Sequence, residues 1–141
     1  MMPATIPVSA TAVAPLRPPF LVVAVGWLIP GGGHFLLGRR GRAAIVFGAV
    51  LVPFVIGVLM RGPLFQPTDG GDVLSRFIQY GGFVGDLASG LFYLGARTLG
   101  YAPPDIAAHA ADYGSKFIVG AGLLNILAMV DAYEITTRLK D

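Results

Sequence analysis

The chain has 141 residues, of which 55% are hydrophobic and 13% charged, with a net charge of +2 and no cysteine. Ordinary soluble domains carry about 25% charged residues, so a chain this short and apolar lacks the polar surface that a soluble fold of its size needs. The absence of cysteine excludes disulfides, thiolate metal ligands and cysteine nucleophiles. The basic residues flank apolar runs instead of forming a patch, which points to a lipid bilayer as partner and away from nucleic acid.

Residues 1–19 hold five prolines and a single charge, Arg17, and read as a flexible Pro-rich tail. The apolar run at 20–38 follows without a basic n-region and closes in Gly38-Arg39-Arg40, so it reads as a retained helix and not as a cleaved signal. At about 1.5 Å per residue it reaches roughly 28 Å, close to the thickness of the hydrocarbon core. Pro30-Gly31-Gly32-Gly33 interrupts it, and a kink or a tight re-entry is expected there. After the basic turn of Arg39, Arg40 and Arg42, a second charge-free run covers 43–60 and contains Pro53. Together 20–60 are expected to form a transmembrane helical hairpin.

Residues 61–76 are turn-rich, and Asp72 is placed to cap a helix starting near Val73. The segment 77–99 is long enough to span a membrane and is expected as a fourth crossing, with an interfacial helix as the alternative. It carries Asp86, and its Gly81, Gly85 and Ser89 recur every four residues. That spacing puts three small groups on one helical face, the pattern that lets helices approach closely in lipid. Residues 100–115, with Pro103-Pro104, read as a loop or a short surface helix. The last apolar helix starts near Lys116, runs uncharged from Phe117 to Val130 and continues into Asp131-Ala132-Tyr133-Glu134. The expected fold is therefore all-α: residues 20–141 form one polytopic transmembrane bundle of three helices plus a fourth at 77–99.

The positive-inside rule places the Arg39/Arg40/Arg42 turn in the cytoplasm and the N-terminus outside. With that turn included, the ten basic residues divide five against five for either three or four crossings, so the charge count leaves the crossing number open.

Four polar residues are candidates for function. His34 follows the glycine triplet and reads as a helix-end histidine bonded to a backbone carbonyl, with a proton relay or metal ligand as the functional alternative. Asp86 lies in an apolar stretch, where an ionisable group calls for a partner, and Arg40, Arg97 and His34 are the candidates. Asn125 reads as an interhelical hydrogen-bonding residue. Asp131 shares a helical face with Glu134 at i+3, and Arg138 at i+4 from Glu134 would leave Asp131 the freer carboxylate. Gly31, Gly32 and Gly33, with Gly81, Gly85 and Ser89, are the expected packing positions. No phosphate loop, GxSxG or HExxH is present, so neither a catalytic site nor a metal or cofactor is expected.

The run from Pro30-Gly31-Gly32-Gly33-His34 through Gly38-Arg39-Arg40 to Arg42 resembles the Pro-Gly-x-Gly-His hairpin of small bacterial membrane proteins related to the two-transmembrane-domain family. A leucine stands here where those proteins usually have an aromatic Tyr. The ending from Asn125 to Tyr133 resembles their terminal helix with its Asp-Ala-Tyr. Gly85-Asp86-Leu87 and Ala111-Asp112-Tyr113-Gly114 look like a branch classed as a domain of unknown function. The resemblance implies a multi-pass protein of the bacterial inner membrane, with His34, Asp131 and Tyr133 as motif positions, and implies no known reaction. The leading functional expectation is a non-enzymatic protein that acts by helix packing, as a homo-oligomer or as an accessory subunit of another membrane protein. The alternative is a small transporter or channel lined by His34, Asp86 and Asn125. A membrane enzyme using His34 and Asp131 would require both on one side.

Overall fold

A computed structural model describes residues 17–67, 70–103 and 109–139. The tail expected at 1–19 lies outside these residues apart from its last three. Among the described residues there are six helices and no strand: α1 (Pro19–Leu28), α2 (Gly32–Leu36), α3 (Arg40–Leu59), α4 (Val73–Ala88), α5 (Leu91–Thr98) and α6 (His109–Thr136).

α6 is the axis on which α1, α2, α3 and α4 pack. α3 lies antiparallel to it: Arg42 meets Asp131 at one end, and Gly57 meets Gly114 and Ile118 toward the other. Val50, Phe54, Ile118 and Ala121 are buried between them. α3 continues through Pro53. A Cβ at Gly57 would stand 2.6 Å from the Gly114 carbonyl oxygen, so this crossing closes only because both positions are glycine. At about 1.5 Å per residue, the 20 residues of α3 and the 28 of α6 reach roughly 30 and 42 Å. Both are long and apolar enough to cross a membrane. Only 22% of the apolar window of α3 and 33% of that of α6 is buried within the chain. The outward faces expose Ile45, Val52, Leu59, Leu123 and Leu127. Core helices of a soluble fold are mostly covered, so these faces fit association with a membrane.

The segment expected to cross at 20–38 turns back on itself. Pro30 cannot continue α1, and Gly31 takes a left-handed φ of 81° at the N-cap of α2. α2 returns antiparallel to α1: a Cβ on Gly33 would lie 2.9 Å from the Val22 carbonyl oxygen. Arg17 lies beside Leu36, Leu37 and Gly38. The backbone N–H of Arg17 donates to Thr136 Oγ1 (3.2 Å), and the Thr136 hydroxyl donates to the Arg17 carbonyl (2.8 Å). Arg17, the Arg39–Arg42 turn and the C-terminus of α6 therefore share one end of the bundle. A complete crossing at 20–38 would have put Arg17 and the basic turn at opposite ends of the bundle, and the re-entry at Pro30-Gly31 is what brings them to the same end.

The second expected crossing to change is 77–99. It breaks at Ser89-Gly90 into α4 and α5, which turn back in the opposite sense. Asp72 caps α4 as expected, accepting from the Ser75 N–H at 3.3 Å and from the Ser75 hydroxyl, which hold its carboxyl below the usual carboxylate range. α4 climbs along α6 until Gly85 meets Val119 and Gly122. α5 then descends along α3. Phe92 sits between Phe47 and Phe54, each ring 5.5 Å away. Tyr101 then donates to the Val58 and Gly62 carbonyls at 3.3 and 3.0 Å. Gly90 has φ 62°, and a Cβ there would strike the Trp27 carbonyl. The last helix begins at His109 and not near Lys116, so the segment 100–115, expected as a loop or a short surface helix, is from His109 onward the first part of α6.

Candidate functional site

Each hairpin runs only part of the way along α6, and their tips meet. Trp27, at the end of α1, donates its indole N–H to the Leu87 carbonyl at 3.0 Å. Asn125, fully buried on α6, donates its side-chain amide to the Ala88 carbonyl at 2.9 Å and to the Trp27 carbonyl at 3.3 Å. The last turn of an α-helix leaves its carbonyls without intrahelical partners. Here α1 and α4 both end in the middle of the protein; Asn125 supplies donors to the Trp27 and Ala88 carbonyls, and Trp27 adds a second donor to the Leu87 carbonyl, which also accepts from the Gly90 N–H. Asn125 Oδ1 has no hydrogen-bond partner.

Asp86 sits on α4 one turn before this junction and has no exposed surface. Its Oδ2 accepts from the backbone N–H of Phe65 at 2.6 Å, and its Oδ1 has no hydrogen-bond partner. None of the three expected partners reaches it. His34 and Arg40 are held at the Thr136 end, and Arg97 donates to the Tyr93 hydroxyl at 3.0 Å. The Phe65 ring covers Gly82, where a Cβ would stand 2.6 Å from its Cδ2. A cavity of about 420 Å³ is lined by Phe65 itself with Pro63, Leu64, Gln66, Gln79 and Ser115. Gln79, Gly82 and Asp86 fall at i, i+3 and i+7, so they follow one face of α4 from the cavity inward.

A second cluster forms at the Thr136 end. Asp131 Oδ2 lies 3.1 Å from an Arg42 guanidinium nitrogen and 3.6 Å from His34 Nε2. His34 is buried and Asp131 partly exposed. The histidine thus faces a carboxylate distant in sequence and also bonds the backbone of Ala128 on α6, so the expected backbone carbonyl is present but comes from another helix. Asp131 is also not the freer acid: α6 stops at Thr136 and Arg138 takes a left-handed φ of 58°, so the helical i+4 geometry from Glu134 is lost. Among the described residues, no three His, Asp or Glu side chains converge to hold a metal.

The expected packing glycines divide. Gly31, Gly32, Gly33 and Gly85 make close approaches within the chain, whereas Gly81 faces open space. Ser89 ends α4 and donates its hydroxyl to the Asp86 carbonyl at 2.6 Å. The contact face of α4 is Gly82–Gly85–Ser89. The partners Gly122 on α6 and Gly57, Gly62 and Gly114 at the α3–α6 crossing were not singled out from the sequence. The small-residue spacing of Gly114, Gly122 and Ala121 was the available signal.

A family model described as a family of unknown function (DUF6677) matches residues 21–141, and the chain belongs to that family. No curated protein and no solved structure matches it.

Proposed function

We propose that this family member is a multi-pass integral membrane protein that handles a small cation or a proton without covalent catalysis. In this reading α3 and α6 cross the bilayer, and α1–α2 and α4–α5 enter from opposite sides as half-depth hairpins. The observation that carries it is the meeting of the two hairpin tips at Asn125, with Asp86 buried in the same hairpin. Broken helices at membrane depth persist only where protein covers their backbone, and in transporters such breaks mark the ion site. An ionisable residue inside a membrane points to function for the same reason. Asp86 lies behind Phe65 and below a polar cavity, which is the arrangement of a carboxylate loaded from one face.

The end with Arg17, Arg39, Arg40, Arg42 and Arg138 is cytoplasmic in this reading, and the end with Arg61, Arg76, Arg97 and Lys116 is outside. The expected location is the cell membrane, the inner membrane in a bacterium. Purified protein in liposomes, with a trapped pH dye and imposed H⁺, Na⁺ or K⁺ gradients, tests the proposal. Flux above protein-free vesicles is expected in the wild type, and Asp86→Asn is expected to remove most of it. Wild-type vesicles as tight as empty ones would sink it.

A second reading, an accessory subunit or homo-oligomer acting by packing, is favoured by Gly48, Gly81 and Gly120, whose Cβ positions open onto free space. A native gel in mild detergent showing only monomer with no partner would end that reading.

A further inference from the structure

The α1–α2 hairpin leaves an apolar groove against α3. Its volume is about 440 Å³, and its walls include Val25 and Ile29 from α1, Phe35 from α2, and Ala44 and Phe47 from α3. Its only charged lining residue is Arg40. Arg40, Ala44 and Phe47 fall at i, i+4 and i+7, so they form one stripe on α3 with the guanidinium at the Thr136 end. From Arg40 to Phe47 the stripe covers roughly 10 Å of helix. Ile29, Phe35 and Ala44 are themselves exposed, so the groove opens on the face that would meet lipid.

The charge around the mouth is strongly one-sided. Among the described residues this end of the bundle carries Arg17, Arg39, Arg40, Arg42 and Arg138, against Asp131 and Glu134. Asp131 already engages Arg42 and His34. The first turn of α3 contains no acidic residue, so the positive end of a 20-residue helix adds to the same field. Clusters of arginine at a membrane surface attract anionic headgroups, and arginine is well suited to phosphate. An apolar slot headed by such a cluster matches one ligand class, a phospholipid with an anionic headgroup.

We propose that this groove holds one acyl chain of an anionic phospholipid, with its phosphate on Arg40. The lipid fills the space that the half-depth hairpin leaves in its leaflet and pins the hairpin against α3. The inference rests on the membrane placement proposed above but not on any transported ion, and the test reads lipid binding in detergent, where neither flux nor topology enters.

The purified full chain in mild detergent is titrated with phosphatidylglycerol and, separately, phosphatidylcholine, and bound lipid is read by native mass spectrometry alongside the thermal midpoint. Phosphatidylglycerol is expected to bind with a stoichiometry of one and to raise the midpoint. Arg40→Gln changes an exposed residue and should weaken binding about tenfold, the effect of losing one charge-assisted hydrogen bond. Ala44→Phe fills the groove and should abolish the adduct while leaving the lipid-free midpoint and helical content near wild type. Equal retention of phosphatidylglycerol by wild type, Arg40→Gln and Ala44→Phe would overturn the proposal. Equal binding of the two lipids by the wild type would overturn its headgroup half. If Ala44→Phe misfolds, Arg40→Gln decides alone.

Discussion

Asn125 joins three helices through one side chain. Its amide donates to carbonyls at the ends of α1 and α4, and it is fully buried. Asn125→Ala removes both donors and leaves two helix-end carbonyls in apolar surroundings, at a cost of about 1–3 kcal/mol. Asn125→Asp is expected to be worse, because a carboxylate brings acceptors against acceptors. Thermal unfolding in mild detergent should rank wild type above Ala and Ala above Asp, and an Asp variant as stable as wild type would remove the donor role. The Arg42–Asp131 contact is a weaker tie. Arg42 is largely exposed, so Arg42→Gln should change stability by only about 0–1 kcal/mol. At this scale the sequence was partly legible. A lone amide in an apolar helix identifies a buried hydrogen-bonding residue whatever its partners are. The carboxylate partner of His34 was not legible, because Asp131 reaches it through the re-entry at Pro30, a tertiary event with no local signal. The same holds for Asp86, whose donor is the backbone of Phe65 in a loop and not a charged side chain.

Two helix breaks shape the elements, and they were unequally visible. Pro30-Gly31 combines a residue that stops a helix with one that accepts a positive φ, so a re-entry was readable there. Gly90 is one of five glycines in 77–99, and nothing local distinguishes it from the four that remain helical. What selects it is the Trp27 carbonyl, which occupies the space a side chain would need. Gly90→Ala therefore meets two penalties, the left-handed backbone and the collision with the α1 tip. Gly122→Ala meets one, a collision with the Gly85 carbonyl. Gly81→Ala meets neither, since its Cβ position is open. The expected order is loss of folded protein for Gly90→Ala, clear destabilisation for Gly122→Ala, and a change within about 0.5 kcal/mol for Gly81→Ala. Monodisperse yield and thermal midpoint measure it. A Gly81→Ala variant as damaged as Gly122→Ala would mean that the packing face of α4 is assigned wrongly.

For the whole molecule, hydropathy finds the apolar segments but is blind to their direction. A half-depth hairpin and a full crossing have similar composition, which is why 20–38 and 77–99 both read as spans. Direction follows from contacts: Arg17 on Thr136, Gly33 on Val22, Tyr101 on Val58 and Gly62. These place both described chain ends at the same end of the bundle as the Arg39–Arg42 turn, and the loop before α4 and the segment after α5 at the other end. The natural chain has no cysteine, so single cysteines can be introduced without a background. Gly41→Cys and Leu139→Cys mark one end, and Gly70→Cys and Ala102→Cys the other; all four positions are exposed. A membrane-impermeant maleimide on intact cells should label Gly70→Cys and Ala102→Cys, whereas Gly41→Cys and Leu139→Cys should label only after permeabilisation. Two complete crossings at 20–38 and 77–99 would give a different pattern, with positions 70 and 102 on opposite sides. That one comparison separates re-entrant hairpins from spanning helices. If 139 labels together with 70 and 102 while 41 does not, α6 would be the element that fails to cross; if 41 labels with them while 139 does not, α3 would be.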